Sequence, residues 1–403
     1  MLNTALAPWP SFTEEEAEAV AGVLLSNRVN YWTGNEGREF EREFASWAGS
    51  AYAIALANGT VALDLALRGC GIGAANGGSA SDEVVVTPRT FLASVSTVVN
   101  AGAVPRFADV DRDSGNICAT TIEPLLGPRT KAIVPVHLGG WPCDMDPIMD
   151  LARSVGAVVV EDCAQAHGAH YRGRPVGGIG DIGAWSFCQD KIMTTGGEGG
   201  MITCQDRELW SRMWSFKDHG KSWEAVYERN HPPGFRWLHE SFGTNWRMIE
   251  MQAAIGRIQL RRMEQSHAAR AANAGRLVTA LGPFAEDRGP LRLPSLDDRE
   301  SRHAWYRLYV YVKLENLAAD WSRDRIIAEF AAEGVPLFQG SCSEVYLERA
   351  FEGTGLRPSR PLPVACELGK TSLAFLVHPT LTQEDLDKTC AAIEKVFSAA
   401  SRL

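Results

Sequence analysis

Four short apolar runs, Glu83 to Pro88, Val104 to Asp109, Lys131 to Val136 and Ala157 to Asp162, recur along the first half of this chain with helix-like stretches between them. Runs this short and rich in β-branched residues belong to strands buried on both faces, and parallel strands of that kind are joined by helical crossovers. The alternation therefore predicts an α/β unit built on a mostly parallel sheet with both faces covered. At 403 residues and 45% hydrophobic content the chain can bury more than one ordinary core, so two domains are expected. A helix from Arg247 to roughly Glu264 leads, after the alanine- and arginine-rich stretch His267 to Leu277, into a second unit. That unit holds a strand over Trp305 to Val312 and a helix over Arg323 to Gly334, which divides the chain into 1–262 and 263–403. No internal repeat or low-complexity tail interrupts it.

Open α/β sheets bind ligands in the crevice beyond the carboxyl ends of their strands. Asp162, closing the run Val158-Val159-Val160-Glu161-Asp162, stands at such an end. A carboxylate there can pair with the ring nitrogen of pyridoxal phosphate and keep it protonated as an electron sink. An aspartate after a strand serves equally as a helix N-cap. Lys191 follows the apolar Ala184-Trp185-Ser186-Phe187 and precedes Gly196-Gly197-Glu198-Gly199-Gly200. A lysine amine at its usual pKa of about 10.4 is protonated and a poor nucleophile, but bound as an imine to an aldehyde cofactor it becomes a covalent handle, a chemistry closed to arginine. The same lysine also fits a solvated turn, so its partners decide.

Asn58-Gly59-Thr60 precede a run of helix formers, Val61 to Leu67. A helix start exposes unpaired N–H groups and the positive end of its dipole, which suits a phosphate, although an ordinary capped start has the same residues. The triplet is also a glycosylation sequon, which a cytosolic chain does not use. Gly243-Thr244-Asn245-Trp246-Arg247 opens the helix whose apolar positions Met248, Met251, Ile255 and Ile258 read as core packing, leaving Asn245 and Arg247 as functional candidates.

Other readings fail on context. Gly178-Ile179-Gly180-Asp181-Ile182-Gly183 matches a dinucleotide fingerprint, but a strand follows where that motif needs a helix. His239-Glu240 lacks the second histidine of a zinc protease, and no metal site is visible. A net charge of −9 argues against nucleic acid as a general partner. Nine cysteines, without a C-x-x-C pair, point to reduced thiols and a cytoplasmic location. The stretch Met1 to Pro10 has neither a basic region nor a long apolar core, so neither secretion nor membrane insertion is expected.

Taken with Tyr31-Trp32-Thr33-Gly34, Pro135-Val136-His137-Leu138-Gly139-Gly140 and His378-Pro379, these segments resemble the DegT/DnrJ/StrS family of sugar aminotransferases over nearly the whole chain. The resemblance implies the aspartate aminotransferase fold, type I: a large domain with a mostly parallel sheet of the seven-stranded type and a smaller C-terminal α+β domain. It implies that Lys191 carries pyridoxal 5'-phosphate and acts as general base, that Asp162 pairs with the pyridinium nitrogen, and that Gln165 reaches the ring oxygen. Phe91 would stack on the ring, while Ser186, Gly59 and Thr60 would hold the phosphate. Asn245 would bind that phosphate from the neighbouring subunit, making the working unit at least a homodimer.

The reaction so implied moves an amino group from an amino acid, L-glutamate in most of the family, to a nucleotide-linked keto-deoxysugar, with ping-pong kinetics. The aminosugar would enter a polysaccharide such as lipopolysaccharide O-antigen, or a glycosylated metabolite. A keto-cyclitol of an antibiotic pathway is the alternative acceptor, and a non-catalytic cofactor-binding regulator is the reading from a different class. Relatives with histidine in place of the lysine act as dehydratases; this chain keeps Lys191. It departs from the family at Cys188, where a ring-bearing residue is common, and at Gly71 to Glu83, which is longer than the usual turn and reads as a mobile surface insertion. The segment Lys217-Asp218-His219-Gly220-Lys221, continuing to Arg229 and to Arg236-Trp237, mixes cations with aromatics. With Trp32 it is the candidate contact for a diphosphate and a base, or else a solvated dimer-edge loop.

Overall fold

The computed structural model describes residues 6–234, 236–295 and 301–402, so Met1 to Ala5 of the amino-terminal stretch lie outside them. Seven strands form the large sheet: β1 (Tyr52–Leu56), β2 (Glu83–Val86), β3 (Val104–Phe107), β4 (Thr130–Val134), β5 (Val158–Asp162), β6 (Ile182–Ser186) and β7 (Gly200–Cys204). Their order is β1-β7-β6-β5-β4-β2-β3. Every pairing is parallel except those of β7, which runs antiparallel to both β1 and β6. The expected strands end slightly early at two places where proline follows, Pro88 after β2 and Pro135 after β4, because proline has no N–H to give a ladder.

Because β7 alone is reversed, β1, β5 and β6 point the same way and deliver Asn58, Asp162 and Ser186 to one edge. On one face, helices α1 (Glu36–Trp47) and α2 (Glu250–Arg261) bury Phe40, Phe44 and Ala253 against Trp185 and Met201. On the other, Gly59–Gly69 and Arg207–Lys217 pack Leu63, Leu65, Met213 and Trp214 against Ile54, Leu56 and Val160. Burial of a side chain of this size contributes about 1.5–3 kcal/mol, so these two layers rather than loop contacts hold the edge in place.

The predicted helix from Arg247 to Glu264 is two helices, Glu250–Arg261 and Met263–Leu281, with Arg262 (φ −89°, ψ −1°) as the cap between them. The alanine- and arginine-rich stretch lies inside the second. The first starts three residues late, since Ile249 is extended and its N–H donates to the Gln252 side chain at 3.0 Å. Asn245 and Arg247 sit instead on an extended segment bridged to Asp218 and Leu56.

A second, antiparallel sheet contains β8 (Leu291–Arg292), β9 (Leu308–Val312), β10 (Leu337–Phe338) and β11 (Ser372–Phe375) in the order β8-β9-β11-β10. The expected strand at Trp305 begins only at Leu308, because Trp305 turns to φ +55°. Helices Arg323–Ala332, Gln383–Ala400 and the end of Met263–Leu281 close a core around Val310, Phe330, Phe375 and Phe397. The Gly71 to Glu83 insertion is fastened rather than loose. Buried Asp82 accepts from the amides of Gly73 and Ser79 at 3.0 and 2.9 Å, and Arg68 reaches Ala75 O at 3.0 Å. Gly73 has φ +84°, and a Cβ there would lie 2.2 Å from Ala101 O, so glycine permits the close backbone approach. Among the described residues no helix is long and apolar enough to cross a membrane.

Candidate active site

A cleft of about 1120 Å³ opens beyond the carboxyl edge of the large sheet and is lined by Gly59, Thr60, Phe91, Asp162, Gln165, Ser186 and Lys191 together. Helix Gly59–Gly69 enters it amino end first, capped by Asn58, whose side chain accepts from Val61 N at 3.0 Å. A Cβ on Gly59 would lie 2.4 Å from Ser186 Cβ, so only glycine lets the helix start rest on the end of β6. The first-turn amides, the Thr60 hydroxyl and the Ser186 hydroxyl thereby share one concavity of the kind an anion fills.

Asp162 lies buried across the cleft floor. Ser94 Oγ donates to its Oδ2 at 2.7 Å, Ala164 N to its Oδ1 at 3.1 Å, and Thr90 Oγ1 lies 2.8 Å from Ser94 Oγ. Burial pushes the Asp162 carboxyl up, opposed by the Ser94 and Ala164 hydrogen bonds and by the Lys191 charge. A protonated ring nitrogen set against it would relieve that penalty. Gln165 is anchored by its oxygen, which accepts from Gly139 N at 2.8 Å.

Lys191 presents Nζ 3.8 Å from Asp190 Oδ1 and 5.2 Å from the centre of the Tyr306 ring. Its backbone is held from both sides, its N–H on Cys188 O at 3.1 Å and its carbonyl on the Trp9 indole at 3.0 Å. Burial works against its charge, but Tyr306, Asp190 and Asp162 outweigh it and hold the amine above its ordinary value. Phe91, at 71% exposure, stands free at the cleft mouth.

The sequence did not single out Ser94, Asp190, Tyr306 or Arg307. Ser94 lies four residues after Thr90, just inside the helix Ala93–Asn100, a spacing that could have flagged it. Tyr306 and Arg307 were hidden in a run read as strand.

Directly behind Asp162, Glu161 is fully buried and accepts from Gly177, Ile179 and Gly180 amides at 2.9, 2.9 and 2.6 Å and from His137 Nε2 at 3.0 Å. The glycine segment 178–183 thus does cradle an anion, but the anion is the protein's own carboxylate. The ligand atoms of His137, Glu161 and Cys163 lie within 4.8 Å of one another. His137 Nδ1 already accepts from Cys143 N at 2.9 Å, however, and the Glu161 oxygens are filled by amides, so the group is a closed hydrogen-bond network.

The expected nucleotide contacts are not in the cleft. Lys217, Lys221, Arg247 and Trp32 converge on Asp218, with Nζ, Nζ, Nη1 and Nε1 at 3.8, 3.0, 2.7 and 3.3 Å from its oxygens. Lys217 is fully buried, its Nζ 3.7 Å over the Tyr31 ring, and burial pushes it down to about 8 against the pull of Glu41 and Asp218. Lys217 and Lys221 thus turn toward Asp218 inside the fold rather than toward the cleft. His219 is exposed at φ +60°, Arg229 pairs with Glu240 at 2.8 Å, and Asn245 is exposed away from this chain's own cleft.

Residues 10–394 match the DegT/DnrJ/EryC1/StrS aminotransferase family. The chain belongs to that family. It is 36% identical over 373 residues to GDP-perosamine synthase of Caulobacter vibrioides, covering 91% of this chain and 92% of that one. Among solved structures, an aminotransferase from Psychrobacter cryohalolentis superposes with a TM-score of 0.94 at 61% identity, over 98% of this chain and 99% of that one. DesV of S. venezuelae, in complex with a ketimine intermediate, does so with a TM-score of 0.82 at 32% identity, over 95% and 94%. As a family member the chain is a pyridoxal-phosphate-dependent aminotransferase with the fold expected from its sequence. The residues fit that cofactor: the Gly59 cradle would suit its phosphate, and the buried Asp162 its cationic ring.

Proposed function

We propose that the cleft transfers an amino group from L-glutamate to a nucleotide-linked keto-deoxysugar, the two half-reactions using one site in turn. The observation that carries this reading is the convergence of Lys191, Asp162 and the Gly59 helix start on a single sheet edge. Bound there, pyridoxal phosphate supplies an aldehyde that exchanges amino groups and a ring that withdraws electrons from the bond being broken. Asp162, steadied by Ser94, holds a proton on the ring nitrogen. Gly59, Thr60 and Ser186 bind the phosphate, Gln165 donates to the ring oxygen, and Phe91 covers the ring face. Lys191 Nζ would move a proton at the substrate carbon.

The nucleotide-linked acceptor rests on the likeness to GDP-perosamine synthase. Asn245, exposed beside the fully exposed Phe242, would complete a neighbouring subunit's phosphate site, so the working unit is a homodimer. The small domain would start at the helix break, Met263 onward, and nine free cysteines suit a reducing cytoplasm.

The test is the absorption spectrum of the purified protein and of Lys191→Ala with pyridoxal phosphate, before and after L-glutamate and then a panel of nucleotide ketosugars. A wild-type band that glutamate bleaches and one ketosugar restores is expected. A band that is missing in the wild type, or unchanged in the variant, removes Lys191 from its role.

A further inference from the structure

Beside Lys191 the cleft wall carries more positive charge than its own partners neutralise. Arg307 lines the cleft with its side chain 14% exposed and its guanidinium 4.4 Å over the Tyr306 ring. Its Nη1 donates to Tyr306 O at 3.1 Å, while its Nη2 stops 4.0 Å from Asp190 Oδ2, too far for a hydrogen bond. Asp190 instead accepts the Tyr306 hydroxyl. Behind Arg307, Arg270 is fully buried, and among the described residues its Nε and Nη2 have no hydrogen-bond partner. Burial first, and the Arg307 charge after it, push Arg270 down to about 9.

We propose that Arg307 binds the α-carboxylate of the amino donor, with Arg270 behind it reinforcing the positive field. This rests on the transamination reading and names the residue that makes an amino acid the donor. Lys191 Nζ lies 3.8 Å from one Asp190 oxygen and Arg307 Nη2 4.0 Å from the other, so ammonium and guanidinium flank one carboxylate. A donor amine takes the place of the lysine amine, and in an α-amino acid the carboxylate hangs on the very next carbon. That short reach delivers it to the guanidinium, whose fork matches a carboxylate with two parallel hydrogen bonds. The diphosphate of a nucleotide sugar is held a ring's width from its carbonyl carbon and lands elsewhere in the cleft. Asp190, with a side chain 53% exposed and tied to Tyr306, has room to yield the guanidinium when the donor arrives.

The experiment uses cofactor-loaded wild type, Arg307→Gln and Arg307→Lys. Each is titrated spectroscopically with L-glutamate and with a simple alkylamine lacking a carboxylate, and its amino-loaded form is then titrated with the ketosugar. Losing a charge-assisted carboxylate contact should raise the half-saturating L-glutamate concentration about 10- to 100-fold in Arg307→Gln, with a smaller rise in Arg307→Lys. The alkylamine and ketosugar responses should stay within a factor of two or so of wild type, since neither contact is lost. Equilibrium binding of α-methyl-L-glutamate, which has no α-proton to lose, should weaken by the same factor as L-glutamate. An unchanged L-glutamate response in Arg307→Gln overturns the assignment, as does a loss confined to the ketosugar, which would give the guanidinium to a sugar phosphate. If Arg307→Gln does not fold, Arg307→Lys carries the test, and an unchanged response there overturns it. A wild type that no amino acid converts would instead overturn the transamination reading itself.

Discussion

Replacing Glu161 with glutamine keeps the side-chain volume and removes one acceptor from the network that backs Asp162. Of its two oxygens, Oε1 accepts from Ile179 N and Gly180 N, and Oε2 from Gly177 N and His137 Nε2. Whichever position becomes an NH2 therefore faces two donors. The histidine cannot turn around to help, because its Nδ1 is already the acceptor for Cys143 N. Two buried donors left without an acceptor cost about 1–3 kcal/mol each, so about 2–6 kcal/mol in total. At roughly 2 °C per kcal/mol for a large chain, the melting temperature should fall by about 4–12 °C at pH 7. The pH dependence carries a sign. Burial favours the neutral acid, but the His137 Nε2 hydrogen bond and the loop amides outweigh it, holding the folded Glu161 carboxyl below its ordinary value. A depressed carboxylate contributes stability that is full above its unfolded pKa and lost as pH falls through the folded one. The gap between Glu161→Gln and wild type should thus be widest at neutral pH and narrow below about pH 4. Thermal melts of both proteins from pH 7 downward measure it. A variant that melts with the wild type at pH 7, or a gap that does not shrink on acidification, refutes the account of this network.

Two further changes test the cofactor cradle. In Gly59→Ala the new Cβ would meet Ser186 Cβ at 2.4 Å and its Cα at 3.0 Å, so backbone must move at about 1–3 kcal/mol and the helix start lifts off the end of β6. The dissociation constant for pyridoxamine phosphate, measured by fluorescence titration, should rise about 10-fold or more; an unchanged constant would mean the phosphate lies elsewhere. Ser94→Ala removes the donor to Asp162 Oδ2, leaving burial less opposed and the carboxyl pushed further up. Affinity for the same ligand should fall about 10- to 100-fold for one lost hydrogen bond to a charged group, and a variant that binds as tightly would free Asp162 of any dependence on Ser94.

The parts of this molecule legible in its sequence are those set by a few consecutive residues. The strands under Asp162 and Lys191 announce themselves by unbroken apolar runs, and Asn58-Gly59-Thr60 by a cap followed by helix formers, because the physics that fixes each is local. What escaped depends on partners remote in the chain. Lys217 and Lys221 look like free cations beside aromatics, yet Trp32, some 186 positions before Asp218, joins them around one buried carboxylate. The late start of the helix at Glu250 follows from a single side chain, Gln252, capturing the amide of Ile249. Gly71 to Glu83 looked loose because glycine and serine build no core, but glycine also admits the backbone approach that fastens it. The segment 178–183 was matched to an anion-binding fingerprint and dismissed on context; its chemistry was right and its anion was Glu161. The same logic explains why Arg307 went unseen. A cation is free for a ligand only where the fold has not supplied its counter-charge, and that is decided by the three-dimensional sum of Asp190, Tyr306 and Arg270 around it.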